Sequence, residues 1–308
     1  MTAVLVNGAA AGGRAQRKWR EIQESVRQYL PDKWEVAMLD DSHQAREWIE
    51  EMLGRGELRF VAAGGDGTVN LLVDTIMRHA PPDVLSRICV GAVGLGSSND
   101  LHKPTRKDRE VRGVPFRLDF TSPIAHDVCL LDSDDGQSRH WIVNASIGLT
   151  ADANRFFNQP DRALRFLKNV SAGAAIAYAA THTLALQRNR SMTLQVDCEP
   201  PLAADVTNIG IVKNPNFSGS LTYRSPYEPA SGFFHVHLCE GMSRPRVLVT
   251  LWRSSRRGFR GLPLTRSWRA QRLVVKADED FSVEFDGETL ETRHASFSIL
   301  KGAVRICS

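Results

Sequence analysis

The chain has 308 residues, 42% of them hydrophobic, with 39 Lys and Arg against 35 Asp and Glu for a formal charge of +4. This is ordinary globular usage, which excludes wholesale disorder, collagen-like repeats and a disulfide mini-scaffold, and the length predicts two domains. The mild basicity suits a phosphate-rich ligand or an anionic surface, and is too small to argue for nucleic acid.

Strand and helix patterns alternate through the first third. Thr2–Val6 reads as a strand, 14–30 as an amphipathic helix, 34–39 as a second strand, and Ser42 as the opening of a helix to Leu53. A third strand at 59–62 leads into a glycine loop and a helix over 68–79, and a fourth at 88–93 leads into a second glycine loop. Such alternation implies parallel crossovers and an open α/β sheet with ligands at the carboxyl ends of its strands. From about Arg117 short runs take over, at 118–121, 126–131, 140–145, 192–196, 207–212, 233–238 and 273–276, with turn signals at Asp135-Gly136 and Asp286-Gly287. One long helix over 162–186 interrupts them, and the second domain reads as β-rich.

The five cysteines, Cys89, Cys129, Cys198, Cys239 and Cys307, form no Cys-x-x-Cys pair, so a reducing cytoplasm is the expected setting. The opening residues carry no basic leader, and the apolar run 172–186, broken by Thr181, His182 and Thr183, is shorter than the roughly 20 residues of a spanning helix. The expectation is a soluble protein.

The segment Gly64-Gly65-Asp66-Gly67-Thr68-Val69-Asn70 follows a strand directly. Its glycines let backbone N–H groups approach an anion, the next helix adds its positive end, and Thr68 offers a hydroxyl and a capping group. A carboxylate facing phosphates is repulsive unless a metal bridges them, which makes Asp66 a candidate Mg²⁺ contact, direct or through water. The sequence Gly94-Leu95-Gly96-Ser97-Ser98-Asn99-Asp100 follows the next strand and forms a second wall, with Ser97 and Asn99 for phosphate or ribose and Asp100 to orient one of them. Tight turns and a helix N-cap are the plainer readings of the same residues. The loop matches neither a Walker A loop nor the Rossmann fingerprint.

Together, Gly64 to Thr68 with Asn70, and Gly96 to Asp100, resemble the diacylglycerol kinase catalytic domain superfamily, which includes bacterial soluble lipid kinases and sphingosine kinases. The resemblance extends through Asn7 with Gly12 and Gly13, Asp127, Asn144 to Gly148 and the late Asp286-Gly287-Glu288. It implies an α/β nucleotide-binding domain of NAD-kinase-like fold over 1–117, with the tail 293–308 returning to it, and a β-sandwich domain for the lipid over 118–292. It implies ATP and Mg²⁺ as cofactors, transfer of the γ-phosphoryl to a lipid hydroxyl, and Glu288 as general base. By the same matching, Asn7, Gly64 to Thr68, Asn70, Gly96, Ser97, Asn99 and Asp100 line the nucleotide, Asp127 lies on the substrate side, and Asp66 holds the catalytic Mg²⁺. Leu71, Thr150 and Ser231 depart from the family pattern. Ser231 stands where an Asp of bacterial members binds a structural Mg²⁺ with two carbonyls, so no metal is assigned there.

No acidic residue occurs over 241–277, whereas arginines, Arg260 among them, alternate with Trp252, Phe259 and Trp268. This predicts peripheral membrane contact through 244–272; a solvated basic face is the plainer reading. His235 and His237 share a strand face and read as ordinary strand histidines, since no third ligand stands beside them. An exposed edge strand offers a route to a homodimer. The competing functions are an NAD kinase-like phosphotransferase and a non-catalytic nucleotide-binding regulator.

Overall fold

The computed structural model describes residues 1–30, 33–217, 221–257, 259 and 261–308. The chain forms two compact units, one of Met1–Val128, Pro229–Ser231 and Leu300–Ser308, the other of Cys129–Glu228 and Gly232–Ile299.

The first unit is a parallel sheet with helical crossovers. It runs β1 (Thr2–Val6), α1 (Arg14–Arg27), β2 (Trp34–Met38), α2 (Ser42–Gly54), β3 (Arg59–Gly64), α3 (Asp66–His79), α4 (Pro82–Leu85), β4 (Cys89–Gly94), β5 (Glu110–Val111) and β6 (Val114–Arg117). The order is β2-β1-β3-β4, all parallel. All five residues of β1 and all but the first of β3 are buried, as expected of strands covered on both faces. Helix α1 buries Ala15, Trp19, Ile22 and Val26, one stripe at helical spacing, against Val4, Val6 and Val61. Burial of Ile22 and Val26 contributes about 1.5–3 kcal/mol each.

In the second unit β7 (Ile124–Ser133, entering from the first unit), β8 (Ser138–Trp141) and β9 (Asn144–Gly148) precede three helices, α5 (Leu149–Asn158), α6 (Arg162–Val170) and α7 (Ala172–Leu186). Then follow β10 (Arg190–Val196), β11 (Leu202–Val212), β12 (Asn216–Phe217), β13 (Leu221–Thr222), β14 (Phe234–Glu240), α8 (Arg244–Arg257), β15 (Thr265–Ala270), β16 (Leu273–Phe285) and β17 (Glu288–Ile306). The ladders within this unit are antiparallel, and β11 and β16 each pair with β10 along one half and β9 along the other. One core that includes Trp141, Phe234, Phe281 and Phe297 joins them. The end of β17 belongs to the first unit, where Arg305 and Ile306 lie parallel to Cys89 and Val90 of β4.

Several elements differ from the sequence reading. The strand expected at 118–121 is absent, its place taken by β6 over Val114–Arg117. The run 140–145 is split, because the N–H groups of Ile142, Val143 and Asn144 all donate to the Asp286 carboxylate and are lost to the ladder. The long helix over 162–186 is two helices, broken at Ser171, whose extended backbone (φ −154°, ψ 122°) and hydroxyl cap α7. Helix α2 begins at Ser42 as expected, but its cap is Asp41, whose carboxylate accepts from the N–H groups of His43 and Gln44. Helix α8 was not legible, because two of its buried positions, Thr250 and Ser254, are polar and blur the apolar stripe.

Candidate nucleotide site

The carboxyl ends of β1, β3 and β4 bring most of the expected residues of the first unit together. The two glycine loops lie backbone to backbone: the N–H groups of Leu95 and Gly96 donate to the Gly64 carbonyl at 2.8 and 3.1 Å. A Cβ on Gly96 would fall 2.4 Å from the Gly65 Cα, and one on Gly64 would fall 2.2 Å from the Thr68 hydroxyl. Glycine is required at both places by close approach rather than by a turn.

Asn99 shapes the second loop from within. It sits in the left-handed region (φ 52°), where its Oδ1 accepts from the Gly96 N–H and its Nδ2 donates to the carbonyls of Gly94 and Gly96. Asp66 then fastens loop to loop. Its Oδ2 accepts from the Asp100 N–H at 2.9 Å and its Oδ1 from the Leu101 N–H at 3.0 Å. Burial, reinforced by the neighbouring Asp100 carboxylate, pushes the Asp66 carboxyl up to about 6, against the pull of those two N–H groups. Each oxygen thus accepts one backbone donor, which gives Asp66 a structural role in fastening the loops. Asp100 is itself held by the Ser98 hydroxyl and, at 2.6 Å, by the Lys103 ammonium.

Helix α3 starts at Asp66 behind Gly65, which offers no side chain to its first N–H groups. This leaves the positive end of the helix open toward an anion. Thr68 lies inside the helix rather than capping it, and its hydroxyl accepts from the Asn7 Nδ2 at 3.1 Å, which ties β1 to α3. Asn7 Oδ1 in turn accepts from the Ala9 N–H. Ser97 is exposed at the loop tip, Gly67 is half-buried, and Asn70 is buried one turn into α3. Asp127 lies apart from the glycine loops in its bonding: fully buried on β7, it accepts from the Gly302 N–H at 2.8 Å. Among the described residues no cluster of three or more His, Cys, Asp or Glu is arranged to hold a metal ion.

The second unit places the late motif on the turn from β16 to β17. Asp286 is buried with φ 46°, and its carboxylate collects the three N–H groups named above. Glu284, also buried, accepts from the Ser146 hydroxyl and the Gly287 N–H. Asn158 Nδ2 donates to the Gly287 carbonyl. These bonds present Glu288 as an exposed carboxylate at the first position of β17. Asn144 donates its Nδ2 to the Asn216 carbonyl, while its buried Oδ1 has no partner among the described residues. Of the departures from the family pattern, Thr150 donates its N–H and hydroxyl to Asn208 Oδ1.

Two features were hidden from sequence reasoning. Lys213 is 3% exposed, and its ammonium donates to the carbonyls of Glu228 and Phe233 at 2.9 and 2.8 Å, so the segment around Ser231 carries an internal cation. His102, buried behind the second loop, is held neutral by burial, which lowers its imidazole to about 3. A Cβ on Gly94 would touch its ring, a contact no local pattern announces. His237 has both ring nitrogens within hydrogen-bond distance of serines, Ser225 and Ser267, and so fills an ordinary strand position.

Residues 1–114 match the family model described as the diacylglycerol kinase catalytic domain. Over 99% of its length the chain is 22% identical to a protein of Yersinia pestis (strain Pestoides F) named probable lipid kinase YegS-like, covering 95% of that protein. A Pectobacterium atrosepticum protein of the same name is 25% identical over 150 residues, about half of each chain. Among solved structures, a diacylglycerol kinase from Bacillus anthracis str. Sterne superposes with a TM-score of 0.68 at 12% identity, covering 99% of this chain and 96% of that one. That likeness speaks for the fold. The family-model match over residues 1–114 and the relatives named as probable lipid kinases together support a kinase enzyme. The family-model match lies within the first unit, and the curated relatives are bacterial proteins named probable lipid kinase YegS-like.

Proposed function

We propose that the protein is a lipid kinase that transfers the γ-phosphoryl of Mg·ATP to the hydroxyl of diacylglycerol or a related lipid. The observation that carries this reading is the pair of glycine loops fastened by Asp66 at the open N-terminus of α3, within the segment matched to the diacylglycerol kinase catalytic domain. Backbone N–H groups over Gly65 to Gly67 and the Ser97 hydroxyl would hold the phosphates, the Thr68 N–H being used by the Gly65 carbonyl. Mg²⁺ bound with the nucleotide would neutralise charge on the transferring group. Asp66, whose two oxygens each already accept one backbone N–H, would face that ion directly or through water. Glu288 would draw the proton from the lipid hydroxyl, a role that its exposed carboxylate suits. Positioning and charge neutralisation supply most of the rate in such a transfer.

The two-layer β-sandwich for the lipid and the cytoplasmic setting belong to the same reading. The five cysteines are free, and no helix among the described residues is long and apolar enough to cross a membrane. The test is transfer of labelled γ-phosphate from Mg·ATP to diacylglycerol, monoacylglycerol, sphingosine, ceramide and phosphatidylglycerol in mixed micelles, with NAD as a soluble acceptor. Label on a lipid that disappears with Glu288→Ala is the expected result. Label on NAD alone assigns an NAD kinase-like phosphotransferase, and nucleotide binding without any transfer assigns a regulator.

A further inference from the structure

Helix α8 turns one face into the fold and leaves an unusual face outside. Val247, Thr250 and Ser254 are buried, beside Met242 and Phe259, and the Thr250 hydroxyl donates to the Met242 Sδ. Outward point Leu248 at 54%, Val249 at 41% and Trp252 at 56% exposure. Arg244, Arg246, Arg253 and Arg256 are exposed beside them, and the Arg256 guanidinium lies 4.9 Å from the Trp252 ring centroid. The helix contains no acidic residue, and no acidic group among the described residues pairs with any of those four arginines. The neighbouring β15 behaves differently, with Arg266 paired to Glu240 and Arg269 to Glu228. Of the aromatic residues in this stretch, Phe259 is buried and Trp268 leans on the core, so Trp252 alone faces solvent. Arg260 lies outside the described residues.

We propose that the outward face of α8 is a docking surface for an anionic phospholipid bilayer. A helix in water normally shows polar groups outward, whereas a face of Trp, Leu and Val ringed by arginines suits the boundary between headgroups and acyl chains. Fourteen residues span about 21 Å, so the helix lies in the interface rather than crossing it. The arginines choose the occupant: unpaired positive charge on an apolar face complements anionic headgroups, and Trp is favoured at that depth. The inference rests on the lipid-kinase reading for its purpose, since an enzyme whose acceptor is dissolved in a bilayer must reach it there.

The full chain is sedimented with phosphatidylcholine vesicles with and without phosphatidylglycerol. Binding is expected to the anionic vesicles and to weaken with salt. Arg246→Gln, Arg253→Gln and Arg256→Gln combined should weaken partitioning about a hundredfold. Trp252→Phe should abolish the blue shift of tryptophan emission on vesicle binding. Circular dichroism melts check that these surface variants fold. Failure of the parent chain to bind anionic vesicles, or equal binding by the arginine variant, overturns the proposal. So does a Trp252→Ser variant that halves the solution mass while leaving vesicle binding intact, which would assign the face to a second copy of the chain. Phosphorylation of detergent-dispersed lipid tests the kinase reading separately. Equal rates there for parent and arginine variant, with a loss on vesicles, support docking. A chain that binds vesicles through α8 yet phosphorylates no lipid keeps the docking surface and refutes the kinase.

Discussion

Asp286 governs the local geometry in front of Glu288, and its replacement gives a graded outcome. Its Oδ1 accepts from the N–H groups of Val143 and Asn144, both at 2.9 Å, and its Oδ2 from that of Ile142 at 2.7 Å. Asp286→Asn, with its oxygen at the Oδ1 position, keeps two of these bonds and turns an amide NH₂ toward the Ile142 N–H. Asp286→Ala removes all three. A buried donor left unpaired costs about 1–3 kcal/mol, so the Asn variant loses about that much and the Ala variant about 3–9 kcal/mol. Against a total stability of about 5–15 kcal/mol, the Ala variant stands at the edge of unfolding. The positive φ of 46° adds a smaller strain to Ala, which Asp286→Gly relieves without restoring an acceptor. Urea midpoints by circular dichroism and amide exchange at residues 142–144 read the effect. Exchange should accelerate at Ile142 alone in the Asn variant, and at all three positions in the Ala and Gly variants. Equal destabilisation by Asn and Ala, or a Gly variant as stable as the parent, would refute the acceptor role.

Other consequences follow from the same geometry. Gly96→Ala would place a methyl 2.4 Å from the Gly65 backbone, forcing the loops apart at about 1–3 kcal/mol; calorimetric titration with Mg·ATP should show affinity reduced at least about tenfold, while Gly54→Ala, which meets nothing within 4 Å, stays near the parent. Because the fold raises the Asp66 carboxyl from 3.8 to about 6, the folded chain keeps a proton there that the unfolded chain releases. Its contribution to stability therefore falls as pH rises through that window and is level above it, and the difference in unfolding free energy between parent and Asp66→Asn should change only between those values. Lys213→Met leaves the carbonyls of Glu228 and Phe233 without the ammonium and should lower the melting midpoint with no recovery on adding Mg²⁺; recovery would mean that a metal serves that segment.

Elements whose signals are local can be read from the residues alone. Strand β1 is legible from five consecutive residues, α1 from its apolar stripe, and the glycine loops from their position directly after apolar strands. The turn at Asp286-Gly287 is legible for the same reason. What individual side chains do across long separations emerges once the chain is folded. Asp66 offers only a loop carboxylate when its loop is considered alone, and gains a fastening role once the N–H groups of Asp100 and Leu101 arrive from 34 and 35 residues away. Asp286 reads as a turn residue, yet its carboxylate interrupts a strand more than 140 residues earlier. Lys213, a charge expected at the surface, is buried because two carbonyls from a distant segment satisfy its ammonium. Periodicity reports which face of an element is apolar. It carries no information about which polar groups meet when elements far apart in the chain are folded together; those pairings set the loop geometry, while burial raises the Asp66 carboxyl against them.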